Sequence, residues 1–222
     1  MNYIQSGPDS GPIFIFAHGA GADMHSDFMT MFAEKLSKKG IRVIRFNFPY
    51  MIKREEDGKR RPPDRAPKLL AAFEDTIKEI SQRNKNIPVF IGGKSMGGRM
   101  SSMLLAGNAL KEKEDQLPIL GAACLGFPFH APKKDPKDRL DHLKNLSQPL
   151  LVVQGTRDTM GTKEEVEGYL REEKISATIQ LKWLEDGNHD LKPRVVSGFC
   201  HQDHINRAVD LVADFILRIS KI

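Results

Sequence analysis

The segment Gly93-Lys94-Ser95-Met96-Gly97 carries the clearest chemistry in this chain. An apolar run, Ile87-Pro88-Val89-Phe90-Ile91, leads into it, and a helix-forming run follows from Met96. A serine between two glycines at that junction predicts a tight strand-to-helix turn that lifts the hydroxyl above the sheet edge. Glycines two before and two after Ser95 let neighbouring backbone approach without a Cβ clash. The helix that follows offers its positive end to negative charge developing on a carbonyl under attack. The same turn is a poor phosphate cradle. Lys94-Ser95 is present, but no glycine stands five residues before Gly93, as a P-loop requires.

A serine hydroxyl needs a base to become a nucleophile, and the base needs an orienting acid. With such an elbow the chain order is serine, acid, histidine, and the groups gather beyond the carboxyl ends of parallel strands. Asp158 follows the apolar run Leu150-Leu151-Val152-Val153-Gln154 through a glycine-bearing turn and is the expected acid. The competing role for Asp158 is to cap the next helix. His189 lies in the turn-rich loop Glu185-Asp186-Gly187-Asn188-His189-Asp190 and is the expected base. His201 and His204 also follow the acid but sit next to or on the final helix. Their spacing suits a metal, yet no third ligand accompanies them. No metal is expected.

An oxyanion needs two backbone N–H donors. Met96 should supply one. The loop His18-Gly19-Ala20-Gly21-Ala22 should supply the other, from Ala20 or, as the alternative, Gly21. His18 is expected to fix this loop through hydrogen bonds and is grouped with the pocket. Phe127, Phe129 and His130 are expected at the pocket rim, although ordinary packing would also account for the two phenylalanines.

The elements that must position these groups alternate along the chain. Apolar runs predict strands over 13–17, 41–46, 87–91, 119–125, 150–154 and 178–184. Helical spacing predicts helices over 27–38, 68–83, 96–106, 163–173 and 204–219. The alternation predicts an α/β fold with a mainly parallel sheet and helices on both faces. Length fits one domain spanning 1–222, with no repeat and no break in composition. Residues 50–67, rich in charge and proline, read as a surface loop with almost nothing apolar to bury. The connection 127–148 reads as too short for a large lid.

Charged residues make up 28% of the chain and leave a net charge of only +5, spread along its length. That argues against nucleic acid as a partner. No apolar stretch is long enough to span a bilayer. Residues 1–12 lack the basic start and apolar run of a secretory signal. Two distant cysteines form no disulfide framework, so a reducing, cytoplasmic setting is expected.

Taken together, these segments resemble the α/β-hydrolase superfamily over nearly the whole chain. Ala17-His18-Gly19-Ala20-Gly21-Ala22, Arg45-Phe46-Asn47-Phe48-Pro49-Tyr50, Gly92 to Arg99 and Gln154-Gly155-Thr156-Arg157-Asp158 resemble one small branch of it. That branch includes proteins similar to testis-expressed protein 30 and to the third subunit of the nonspecific-lethal chromatin complex; dienelactone-hydrolase-like proteins are broader relatives. The resemblance implies the fold, a Ser-His-Asp triad and no cofactor. The reading it supports is a serine hydrolase of small soluble esters or thioesters. Two alternatives stand beside it. One is a lactone or carbon–carbon hydrolase. The other is a scaffold that docks a protein partner through its basic segment 53–65.

Overall fold

The computed structural model describes residues 3–133, 139–144 and 146–221. Among the described residues seven strands form one sheet: β1 (Tyr3–Ser6), β2 (Ile13–Ala17), β3 (Arg42–Phe46), β4 (Val89–Lys94), β5 (Ile119–Leu125), β6 (Leu150–Gly155) and β7 (Gln180–Leu184). Their spatial order is β1-β3-β2-β4-β5-β6-β7. All neighbouring pairs are parallel except β1 with β3.

Six α-helices among the described residues connect and cover the sheet: α1 (Asp27–Ser37), α2 (Pro49–Asp57), α3 (Ala66–Arg83), α4 (Met96–Asn108), α5 (Lys163–Arg171) and α6 (His201–Ile219). Side chains alternate across each strand, and the core divides accordingly. Ile13, Ile15, Leu150 and Val152 pack towards α3, α4 and α5. Phe14, Phe16, Leu151 and Val153 pack towards α1 and α6.

Strand order reverses between β2 and β4. From β2 the chain moves outward to β3 by way of α1 on one face. From β4 it moves to β5 by way of α4 on the other. The loops leaving the carboxyl ends of β2 and β4 therefore diverge and open a crevice, the place where such sheets bind ligands. Register puts Ala17 beside Gly93 there.

Two elements differ from the sequence expectation. Residues 50–67 are not one loop, because α2 occupies their first half. Pro49 presets the first helical turn, and Gly58 ends the helix in the left-handed conformation, its N–H donating to Arg54 O at 2.8 Å. Tyr50 and Met51 anchor α2 in the core, while its charges face water. Two buried residues are enough to dock a nine-residue helix whose ends are this well defined. The second difference is β1, an edge strand formed within residues 1–12. Of the connection 127–148, residues 134–138 and 145 lie outside the described residues.

Candidate active site

Ser95 joins β4 to α4 with φ 51° and ψ −115°. A side chain other than glycine is strained in that region, and the surroundings hold it there. Ser95 N–H donates to Leu125 O at 2.9 Å, and Ser95 O accepts from Arg99 N–H at 3.0 Å. The flanking glycines are required by contact. A Cβ on Gly97 would stand 2.3 Å from Ala17 O, and one on Gly93 would stand 2.5 Å from the Gly97 carbonyl carbon. Met96 is the first residue of α4, where backbone N–H groups have no intrahelical acceptor.

The structure brings Ser95, His189 and Asp158 together. His189 Nε2 lies 2.8 Å from Ser95 Oγ, and Nδ1 lies 2.8 Å from Asp158 Oδ2. A carboxylate only accepts, so Nδ1 carries the proton and the Nε2 lone pair faces the serine hydroxyl. Asp158 is fully buried. Its Oδ1 accepts from Met160 N–H, and its Oδ2 accepts from the Gln154 side-chain amide, each at 2.8 Å. Asp158 does not cap α5; Thr162 does, through a reciprocal capping box with Glu165.

The loop that carries His189 is tied down on several sides. Arg157 N–H donates to Gly187 O at 2.9 Å, and Asp186 N–H donates to Thr156 Oγ1 at 2.8 Å. Asp186 receives the Arg194 guanidinium and lies 3.2 Å from Arg157. The hydrogen bonds from Arg194 pull its carboxyl down to about 2. His201 and His204 belong to this support. His201 Nε2 lies 3.0 Å from Asp190 O, and His204 Nδ1 lies 2.9 Å from Leu191 O. Among the described residues no group of three or more His, Cys, Asp or Glu is arranged to hold a metal.

The loop after β2 is fixed from beneath. Phe48 N–H donates to His18 Nε2 at 3.1 Å, so the His18 proton sits on Nδ1 and is donated to Gly19 O at 2.7 Å. Burial pushes His18 down to about 4, which keeps this neutral tautomer. Tyr50 Oη donates to Ala20 O at 3.0 Å and reaches Gly19 O at 3.3 Å. In a trans peptide the C=O and the next N–H point in opposite directions. With the Gly19 and Ala20 carbonyls held by Tyr50, the N–H groups of Ala20 and Gly21 turn to the other side of the loop. Both residues line a cleft of about 630 Å³ that also exposes Ser95, His189, Phe28 and Met31.

The three pocket residues expected from sequence lie elsewhere. His18 is fully buried below the loop and does not line the cleft. Phe127 is drawn into the core because its backbone N–H and C=O both bond the buried Gln154 amide, at 2.6 and 3.1 Å. Its ring packs on Phe129, also fully buried, at 4.8 Å. His130 turns towards α5, with Nε2 3.3 Å from Glu165. Three positioning groups escaped the sequence reading: Tyr50, Gln154 and Asp186. Gln154 had a signal, since it is polar and ends an otherwise apolar strand.

A sheet reversing at β2 and β4, with a strained serine at the crevice and a histidine and acid on later loops, defines the α/β-hydrolase fold. The chain belongs to the alpha/beta hydrolase domain family, which matches residues 10–217. Solved structures agree on the fold. Dienelactone hydrolase from Anabaena variabilis matches with TM-score 0.72 at 15% identity, over 97% of this chain and 90% of that one. Est1E from Butyrivibrio proteoclasticus, solved with ferulic acid bound, matches with TM-score 0.71 at 14% identity, over 100% and 96%. An alpha-beta serine hydrolase homologue from Coxiella burnetii matches with TM-score 0.69 at 15% identity, over 96% and 90%.

Proposed function

We propose that this protein is a serine hydrolase of small carboxylic esters or thioesters, working through an acyl-enzyme. The observation that carries the reading is His189, which bridges the Ser95 hydroxyl and the Asp158 carboxylate at 2.8 Å on each side. Ser95 Oγ attacks the substrate carbonyl carbon while His189 Nε2 takes its proton. Asp158 holds the imidazole in the tautomer that leaves Nε2 free and stabilises the imidazolium that forms. The N–H groups of Met96 and Ala20, or Gly21 in place of Ala20, receive the oxyanion. His189 then protonates the leaving alcohol or thiol. Water, deprotonated by His189, releases the acid and restores Ser95.

The cleft beside Ser95 is walled by Phe28, Met29 and Met31 of α1, which suits an apolar acyl or alcohol group. The family membership and the esterase neighbours support hydrolysis as the reaction class. We further place the protein in the cytoplasm: Cys124 and Cys200 are both free, as a reducing compartment would keep them. No helix among the described residues is long and apolar enough to cross a membrane.

The test is peptide mapping after exposure to a fluorophosphonate probe, with heat-denatured protein and Ser95→Ala as controls. Labelling of Ser95 in the folded wild type alone supports the reading, and a panel of short-chain esters and thioesters then sorts the substrate. Folded protein that resists the probe at Ser95 overturns it.

A further inference from the structure

We propose that Lys94 is a positioning residue, one that locks the loop carrying His189 onto the strand that carries Ser95. The inference rests on the triad reading above but concerns a residue outside the triad. Lys94 is the last residue of β4, and its neighbour in the chain is the candidate nucleophile. Its ammonium crosses to the base loop. Nζ donates to the backbone carbonyl of His189 at 2.8 Å and lies 3.2 Å from the Asp190 carboxylate. The two contacts bracket the peptide that joins His189 to Asp190. One side chain thus joins the element that fixes Ser95 to the backbone that fixes its base.

The burial of Lys94 fits this task better than a role on the surface. Its side chain is only 10% exposed, whereas its partner Asp190 is 72% exposed. A buried ammonium is costly unless it is paired and hydrogen-bonded. Here His189 O and Asp190 supply the partners, and the ring of Phe28 lies 5.9 Å from Nζ. Burial draws the Lys94 pKa down, while Asp190 and the more distant Asp158 oppose that shift. Asp27 and His201 are the other titratable groups along the same cleft. The carboxylate paired with the ammonium thus comes from the loop that carries His189, so its charge holds that loop against the elbow.

The lock matters because proton transfer from Ser95 depends on a 2.8 Å contact, and a small displacement of a positioned group costs rate steeply. Lys94→Met keeps the aliphatic stem and removes the donors. Three readouts judge it. Amide hydrogen exchange over residues 186–192 should quicken. Fluorophosphonate labelling of Ser95 should slow by about tenfold to a hundredfold. With p-nitrophenyl butyrate and mono-p-nitrophenyl succinate, kcat should fall by a similar factor for both while KM stays near wild type.

Unchanged exchange over residues 186–192 overturns the proposal. So does a loss confined to KM for the succinate ester, which would make Lys94 a binder of substrate anions. If Lys94→Met does not fold, Asp190→Ala, at an exposed side chain, removes the carboxylate partner of Nζ and is judged by the same three readouts. A wild type that resists the probe refutes the triad reading instead, and the exchange comparison still decides whether Lys94 holds the loop.

Discussion

Gln154 Nε2 donates at 2.8 Å to Asp158 Oδ2, the oxygen that also faces His189 Nδ1. Gln154 is fully buried, and its carbonyl oxygen accepts from Phe127 N–H at 2.6 Å. The amide therefore fixes both the carboxylate and the strand end beside it. Gln154→Leu removes both contacts, leaves Phe127 N–H unpaired, and leaves His189 as the remaining partner of Asp158 Oδ2. The expected cost is about 2 to 3 kcal/mol of stability, read by urea unfolding. Hydrolytic kcat should fall by roughly tenfold or more as Asp158 and His189 lose their fixed geometry. Wild-type kcat in a variant destabilised by that amount would show that Gln154 serves the fold alone.

Tyr50 holds carbonyl groups of the loop proposed to bear an oxyanion donor, so its effect should be local and geometric. Tyr50→Phe keeps the ring that packs beside His18 at 5.9 Å and removes only the hydroxyl that holds Ala20 O and Gly19 O. Stability should drop by about 1 kcal/mol. The fluorophosphonate labelling rate of Ser95 should fall by up to about tenfold, since the Ala20 carbonyl that aims the Gly21 N–H loses its partner, while Gly19 O keeps His18 Nδ1 at 2.7 Å. The decisive comparison is binding: affinity for a reversible, uncharged product alcohol should be unchanged, because no oxyanion is involved.

Much of this arrangement is legible in the residues themselves. The stretch Ile13–Ala17 is buried without a break, and Ile119–Leu125 nearly so, which is why each reads as a strand with the bounds observed. Ser95, Asp158 and His189 are legible because a strained turn and two strand ends constrain the chain strongly. β1 is harder to see. It is four residues long, half-exposed at a sheet edge, and stabilised mainly by its pairing with β3. α2 is hidden by its charges, since only Tyr50 and Met51 report its buried face.

The misplaced pocket residues share a physical cause. Phe127, Phe129 and His130 follow a strand end, where side chains commonly meet ligand. Gln154 instead binds both backbone polar groups of Phe127, whose ring packs on Phe129, and Glu165 meets the His130 ring, so all three turn inward. The cleft wall comes from α1, whose Phe28 and Met31 read from sequence as ordinary core positions of an amphipathic helix. Helical periodicity marks the apolar face but not where along it the sheet ends and a cleft begins.

Acid should destabilise the fold through one buried and one half-buried imidazole. Burial holds His18 near 4, and burial together with neighbouring Arg99 holds His142 near 4. In the unfolded chain both titrate near 6.5. Between those values the unfolded state binds protons that the folded state refuses. Their contribution is therefore complete above pH 6.5 and is lost as pH falls towards 4. Each histidine adds a slope of up to about 1.4 kcal/mol per pH unit. His142 Nε2 lies 2.8 Å from Ser102, away from the cleft lining. His142→Leu should flatten the fall in urea-unfolding free energy between pH 6 and 4.5 relative to wild type. An unchanged slope would mean that His142 is protonated in the fold.

Two glycines of α4 should respond in opposite directions to the same added methyl group. A Cβ on Gly97 would stand 2.3 Å from Ala17 O and 2.7 Å from both Ala17 C and His18 O. All three are backbone atoms of β2 and the loop that follows it, so no side chain can swing aside. Gly97→Ala must push α4 away from β2, at an expected cost of at least about 3 kcal/mol or outright failure to fold. Gly107 lies one residue before the end of the same helix, and a Cβ there would meet nothing within 4 Å. Gly107→Ala removes unfolded-state freedom without a clash and should stabilise by about 0.4 to 1 kcal/mol. Thermal melts of the two variants separate these outcomes. A Gly97→Ala protein as stable as wild type would show that the elbow yields where the geometry says it cannot.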